Sequence, residues 1–222
     1  MKNIRPFHVV FDEGIDPLER QAVQRAVTEI LALAGVADLM HVSDFHVWRE
    51  RGYDQGGVLQ PYLSVDWYIR RGRESSGSPG QLNVETMMFE LAGEPWRKVP
   101  HYDLMVVSAD LTAKGMNFVI GYGNRGIGAI ASVARIRHLE PGLRGECIKT
   151  EIMHELGHVF GLIPRERTVA VEAQLGRHCA NICIMRQGVN VPDDWIRITL
   201  DRLDSGAPFC PLCLRDLRSY FA

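Results

Sequence analysis

Apolar residues recur along the chain in two rhythms. Phe7-His8-Val9-Val10-Phe11 reads as a strand, and Leu104-Met105-Val106-Val107 as a fully buried one. Between residues 18 and 34, apolar side chains fall at 18, 22, 23, 26, 27, 30, 31 and 34. That is the 3.6-residue spacing of a helix facing a core. Leu63, Val65, Trp67 and Ile69 alternate with Ser64, Asp66 and Tyr68 and predict a half-buried strand. Residues 71–80, rich in Gly and Ser, predict a flexible loop flanked by the basic pair Arg70-Arg71. Asn83 predicts the cap of a helix running through Leu91. Residues 118–123 and 129–135 predict two strands joined by Asn124-Arg125-Gly126-Ile127-Gly128. This glycine-rich turn lacks phosphate-loop spacing. Strands interleaved with helices predict an α+β fold, a mixed twisted sheet with a helix packed on it.

That helix is predicted at about residues 146–161, where Ile148, Ile152, Leu156, Val159 and Phe160 form an apolar stripe free of Gly and Pro at its start. It carries His154-Glu155-Leu156-Gly157-His158. Histidines four apart lie on one helix face, one turn from each other, and can reach a single metal ion. Glu155 lies beside them, where it can act as the general base toward a zinc-activated water without being a ligand. Gly161 can take the left-handed conformation that ends the helix. A working site needs a third protein ligand. The position six residues past His158 holds Pro164.

Composition adds limits. The chain has 222 residues, 46% of them hydrophobic, and a net charge of −2, enough for one domain with a sizeable core. The near-neutral charge gives no electrostatic reason to expect a nucleic-acid partner, and no apolar run is long enough to span a bilayer. Residues 1–6 carry no secretory apolar stretch. Four of the five cysteines fall in two close pairs, Cys179/Cys183 and Cys210/Cys213, which suit a structural zinc. Cys147 reads as a packing residue. Cysteines used for metal fit a reducing cytoplasm. Histidines 8, 41, 46, 101 and 138 have no ligand spacing to the helix motif and read as ordinary histidines.

The order HExxH, xxG, His178-Cys179, Cys183-Ile184-Met185 and Cys210-Pro211-Leu212-Cys213 resembles the archaemetzincins, a branch of the metzincin metallopeptidases. Upstream, Lys114-Gly115-Met116-Asn117-Phe118-Val119-Ile120-Gly121 and Ala131-Ser132-Val133-Ala134-Arg135 are similar to the family's stretch before the helix. Residues 83–111, with Glu94-Pro95-Trp96 and His101-Tyr102-Asp103, match more loosely.

The resemblance implies a zincin/metzincin-like fold and a zinc metallopeptidase acting on peptides or proteins. It implies two zinc ions. The catalytic ion is held by His154, His158 and His178 above Met185 as the Met-turn residue, with Glu155 as general base. The structural ion is held by Cys179, Cys183, Cys210 and Cys213, in a C-terminal part that begins near residue 162 of one domain. An edge strand in the hairpin before the helix would pair with extended substrate.

In the family the third histidine follows the second by six residues; here His178 follows by twenty, an insertion of 14 residues that reads as a short charged helix or an excursion closed by Gly176. Glu172 is the rival third ligand, and Glu166 reads as a surface charge. The non-enzymatic alternative is a zinc-stabilised peptide-binding protein with a vestigial cleft.

Overall fold

The computed structural model describes residues 2–44, 54–55, 58–173 and 175–222. His46 and Gln174 of the insertion lie outside these residues. The chain opens with strand β1 (Phe7–Phe11) and helix α1 (Pro17–Ala34). Asp16 starts α1 with a capping box. Its carboxylate accepts from the Glu19 amide at 2.9 Å while the Glu19 side chain accepts from the Asp16 amide at 2.9 Å. Such a cap stabilises a helix by about 1 kcal/mol. Gly35, at φ 75°, ends it in the left-handed conformation. The predicted apolar stripe is the buried face, from Ala22 to Ala34.

Strand β2 (Val42–Asp44) and a small antiparallel pair, β3 (Asp54–Gln55) with β4 (Val58–Leu59), lead to helix α2 (Val65–Glu74). Here the sequence reading is corrected. Residues 63–69 are not a strand, and residues 71–74 are not loop. Val65, Tyr68 and Gly72 share the buried face at helical spacing, and a Cβ on Gly72 would lie 2.8 Å from the Met87 side chain. Close packing on the next helix overrides the short alternation. Arg70 and Arg71 therefore sit on a helix, where Arg71 pairs with Glu90 at 2.8 Å. Strand β5 (Gln81–Asn83) precedes α3 (Val84–Ala92), which Asn83 caps by accepting from the Thr86 amide at 2.9 Å.

Strands β6 (Tyr102–Val107), β7 (Asp110–Ala113), β8 (Met116–Val119), β9 (Gly121–Asn124) and β10 (Gly128–Ser132) follow. The main sheet has the order β2-β1-β6-β10-β9. Its first four strands are parallel, and β9 runs antiparallel along the edge. The predicted hairpin 118–135 is β9–β10. Residues 118–119 belong instead to β8 of a second sheet, β5-β7-β8, and Ala134–Ile136 is a turn of 3-10 helix.

Alternation along the central strands decides what each sheet face buries. Phe7, Val9, Phe11, Leu104, Val106, Ala129 and Ala131 pack with α1 and with helix α4 (Pro141–Val159) on one face. Val10, Met105, Val107 and Ile130 pack with α2 and α3 on the other. α4 begins at Pro141, five residues before the predicted start, because a proline suits the first helical turn. Its interior position buries Ile148, Ile152, Leu156 and Val159, and also Cys147.

The remainder is irregular, with a two-residue ladder, β11 (Val171–Glu172) with β12 (His178–Cys179), then α5 (Asp193–Ser205) and α6 (Pro211–Phe221). The last turn of α6 returns to the start of the chain, where the Lys2 amide donates to the Phe221 carbonyl at 3.1 Å and the Asn3 side chain to the Tyr220 carbonyl at 2.7 Å. Among the described residues no helix is long and apolar enough to cross a membrane.

Candidate metal centres and cleft

The HExxH helix ends as its sequence requires. Gly161 stands at φ 69°, and the Leu162 amide closes on the Gly157 carbonyl at 2.9 Å. His154 and His158 project from successive turns of α4, with their Nε2 atoms 3.1 Å apart. β12 brings His178 to them. Its ring stacks on His154 at 5.3 Å between centroids and lies edge-on to His158 at 5.1 Å. One nitrogen from each of the three lies within 4.8 Å of the others. A tetrahedral zinc with 2.0–2.1 Å bonds separates its nitrogens by about 3.3 Å, so the trio fits such an ion after small rotations.

The ring of His154 is fixed from behind. Its Nδ1–H donates to the Ile184 carbonyl at 2.7 Å, which leaves Nε2 as the lone-pair nitrogen facing the cleft. Trp195 of α5 packs edge-on against the same ring at 5.2 Å. Burial, reinforced by His158 and then His178, holds the His154 pKa well below its usual value. Burial and His178 lower that of His158 to about 3. Both imidazoles are neutral, the state a metal ligand needs.

Glu172 is exposed, while His178 is 5% exposed; the ladder pairs them across from each other, yet only His178 joins the histidine group. The insertion is an excursion rather than a helix, carrying β11 and closed by Gly176 at φ 111°. Arg177 ties its two ends, donating to the Pro164 carbonyl at 3.1 Å and to the Arg167 carbonyl. Glu166 is exposed, as expected.

Glu155 lies on the same helix, buried beneath β9. Burial raises its pKa to about 8, against the pull of the neighbouring Glu151 and the Gly123 backbone. A nearby cation would draw that value down. Glu151, one turn earlier, is pushed well above the usual carboxylate range by burial first and the Glu155 charge second, so Glu151 holds the proton of the pair. The edge strand can approach this closely because it reads Gly121-Tyr122-Gly123. A Cβ on Gly121 would lie 2.4 Å from Glu151 Oε1, and one on Gly123 2.5 Å from the Glu155 carbonyl oxygen. Glu151 and these glycines were not singled out from sequence, although a carboxylate four residues before Glu155 and two glycines on one strand face were available as signals.

Met185 is fully buried, and Gly157 of the motif exists to admit it, since a Cβ there would meet Met185 Sδ at 2.3 Å. The Met185 carbonyl accepts from the Cys179 amide at 2.7 Å, which ties this turn to β12. The cleft between β9 and the insertion has a volume of about 580 Å³; Phe118, Tyr122, Val189 and Trp195 line it with the histidines and Glu155.

Cys179, Cys183, Cys210 and Cys213 form a second, buried group, with one sulfur from each within 4.8 Å of the others. No disulfide links them; Cys179 and Cys210 have sulfurs 3.7 Å apart. That matches the edge, about 3.8 Å, of a tetrahedron with 2.3 Å zinc–sulfur bonds. Hydrogen bonds from Cys183 and then Cys213 hold the Cys179 thiol far below its usual pKa. A third group, Glu94, His101 and Asp103, is buried under β6. There Arg97 donates to Asp103 at 2.5 Å and the His101 ring lies 3.2 Å from the same carboxylate, so two cations balance two carboxylates. His101 is thus a core histidine.

A helix with two histidines one turn apart is thus set under the antiparallel edge strand of a mixed sheet. The comparisons are more specific. The chain is 34% identical over 116 residues to an archaemetzincin of Archaeoglobus fulgidus, covering 52% of this chain and 59% of that protein. It is 33% identical over 120 residues to one of Thermococcus kodakarensis, covering 50% and 53%. It thus spans a little over half the length of these curated relatives. The crystal structure of Methanopyrus kandleri archaemetzincin superposes with a TM-score of 0.64 at 23% identity, over 99% of this chain and 96% of that one. That of the Archaeoglobus fulgidus protein, complexed with malonate, gives 0.55 at 22%, over 95% and 99%. A zinc-dependent peptidase from Methanocorpusculum labreanum gives 0.51 at 21%, over 95% and 99%. No family model matches the chain. The resemblance read from the motif order holds: the chain is related to the archaemetzincins in sequence and has their mixed α/β fold.

Proposed function

We propose that the chain is a zinc-dependent peptidase in which His154, His158 and His178 hold the catalytic ion. The observation that carries this reading is the convergence of three imidazoles beside a buried carboxylate at the floor of one cleft. Zinc bound there supplies a Lewis acid that polarises a peptide carbonyl and activates water for attack.

The remaining work falls to the chain's own groups. Glu155 takes the proton of the attacking water and delivers it to the leaving amine. Glu151, buried one turn before it and kept protonated, adds no second negative charge beside the Glu155 carboxylate. The free edge of β9 offers main-chain donors and acceptors to an extended peptide, which is then held by strand addition, with side chains settling in the cleft. Cys179, Cys183, Cys210 and Cys213 hold a second zinc that fixes β12, and with it His178.

Incubation of the zinc-loaded protein with a peptide library tests the reading. Zinc-dependent cleavage at mapped bonds is expected. Full zinc occupancy with no turnover selects the other reading, a zinc-stabilised peptide-binding protein.

A further inference from the structure

The 14-residue insertion carries a buried arginine into the cysteine cluster. Arg167 is 7% exposed, and all five of its N–H donors are engaged. Nε donates to the Val169 carbonyl at 3.0 Å. Nη1 donates to Cys213 Sγ at 3.2 Å and to Asp216 Oδ2 at 3.0 Å. Nη2 donates to Cys179 Sγ at 3.2 Å and to the Ala170 carbonyl at 3.1 Å. The two sulfurs belong to opposite halves of the cluster, one from β12 and one from α6, so a single planar fork spans both pairs.

The chemistry of such a contact is specific. Four thiolates around a divalent ion leave a net charge of two minus in a buried place, which is costly unless hydrogen bonds meet it. Asp216 offsets the guanidinium's own charge, so the contribution of Arg167 lies in its directed N–H···S bonds rather than in net charge. These draw electron density from the sulfurs and fix the position of each, which opposes the outward swing or protonation that begins metal loss. Lysine could not do the same, because an ammonium is a point donor and cannot bridge two fixed acceptors in one plane. The insertion is shaped to deliver the fork. The Arg167 amide closes a turn on the Pro164 carbonyl at 3.0 Å, and Arg177 braces the Arg167 carbonyl from the far end of the excursion.

We propose that Arg167 is an outer partner of a metal ion in the four-cysteine site, a positioning residue that locks Cys179 and Cys213 and slows the site's loss of zinc. The proposal rests on the reading above that these cysteines hold zinc. It also gives the insertion a purpose. The segment that lengthens the path to His178 supplies its own anchor on Cys179, the residue next to His178.

The test is zinc release to a chromogenic chelator, followed in the wild type, Arg167→Met and Arg167→Lys. Two phases are expected, a fast one from the histidine site and a slow one from the cysteine site. Arg167→Met should speed the slow phase about 10- to 100-fold, the usual effect of removing an outer partner of a metal ligand. The fast phase should stay near the wild-type rate, and Arg167→Lys should recover little. The four cysteines of the variant should also react faster with a thiol reagent. A wild type that holds one zinc, with all four cysteines freely alkylated, overturns the four-cysteine reading and the proposal with it. Two zinc ions with an unchanged slow phase in Arg167→Met overturn the proposal alone. Should Arg167→Met not fold, a crystal structure of the zinc-loaded wild type decides. Guanidinium nitrogens within hydrogen-bonding reach of both sulfurs support the proposal, and separations beyond about 4 Å overturn it.

Discussion

Glu172 and His178 are direct partners across the two-residue ladder between β11 and β12, and only His178 turns inward to the histidine group. The two candidates for the third ligand are thus neighbours with opposite fates. His178→Ala should lower zinc content from about two ions per chain to about one, since a catalytic zinc site normally needs three protein ligands. Glu172→Ala should leave both ions in place and change stability by less than about 0.5 kcal/mol, as expected of an exposed residue. Metal analysis of the two variants after gel filtration makes the comparison. The reverse pattern would transfer the ligand role to Glu172.

Glu155→Gln keeps the shape of the side chain and removes the base. Fold and zinc content should persist while turnover falls by at least about 10²-fold, the lower end of a general-base contribution. Steady-state cleavage of one mapped peptide measures it, and wild-type turnover in this variant would put the proton transfer elsewhere.

The glycines of β9 are spacers against α4. Gly121→Ala places a methyl 2.5 Å from Glu155 Cγ, and the buried side chain must move. A displacement approaching 1 Å should cost about 10² in turnover, with both zinc ions retained. Gly123→Ala meets backbone at 2.5 Å and His158 Cβ at 2.7 Å, so it should weaken zinc binding as well. Turnover and metal content measured together separate the two effects.

Removal of metal should proceed in order. Four thiolates would hold zinc more tightly than three imidazoles, so a chelator titration should abolish cleavage before the circular dichroism spectrum changes. Simultaneous loss of both signals would contradict this ordering.

The buried group around His101 sets a pH dependence. Burial works against the charged ring, but hydrogen bonds to Asp103 and then Glu94 outweigh it and push the His101 pKa up to about 9. The unfolded value is near 6.5. Below that value both states hold the proton, and the stabilisation is fully present. As pH rises toward 9 the unfolded state has lost its proton and the folded state still keeps it, so the stabilisation declines and is gone above the folded pKa. The urea midpoint should therefore fall between pH 6.5 and pH 9.5 or so, and the fall should shrink in His101→Gln. An equal fall in that variant would assign the effect to other groups.

The parts of the site that sequence made legible are those defined by local spacing. His154, Glu155 and His158 lie within one helical turn and a half, and the α1 stripe needs no distant partner to be recognised. The alternation at 63–69 misled because Tyr68, on the wrong face of the supposed strand, is the residue that α2 buries. The periodicity of a short segment cannot reveal that a helix will cover it. Arg167 was invisible for a different reason. Its sulfur and carboxylate partners on α6 stand 46 and 49 residues away, and nothing in the insertion's own pattern distinguishes it from Arg165 or Arg177. Glu151 was hidden in plain view, since its meaning depends on the glycine strand pressed against it.

The return of α6 to the first residues of the described chain has a further consequence. α6 carries Cys213 and Asp216 at one end. At the other, Tyr220 meets the Tyr102 hydroxyl of β6 at 3.1 Å while Phe221 and Tyr220 hold Lys2 and Asn3. Sulfur cluster, terminal helix and central strands are therefore one cooperative unit. The cysteine-bearing segment is not an autonomous zinc knuckle that could be excised and folded alone. Local opening at the four cysteines should therefore reach the middle of the sheet, as faster exchange of the β6 amide protons.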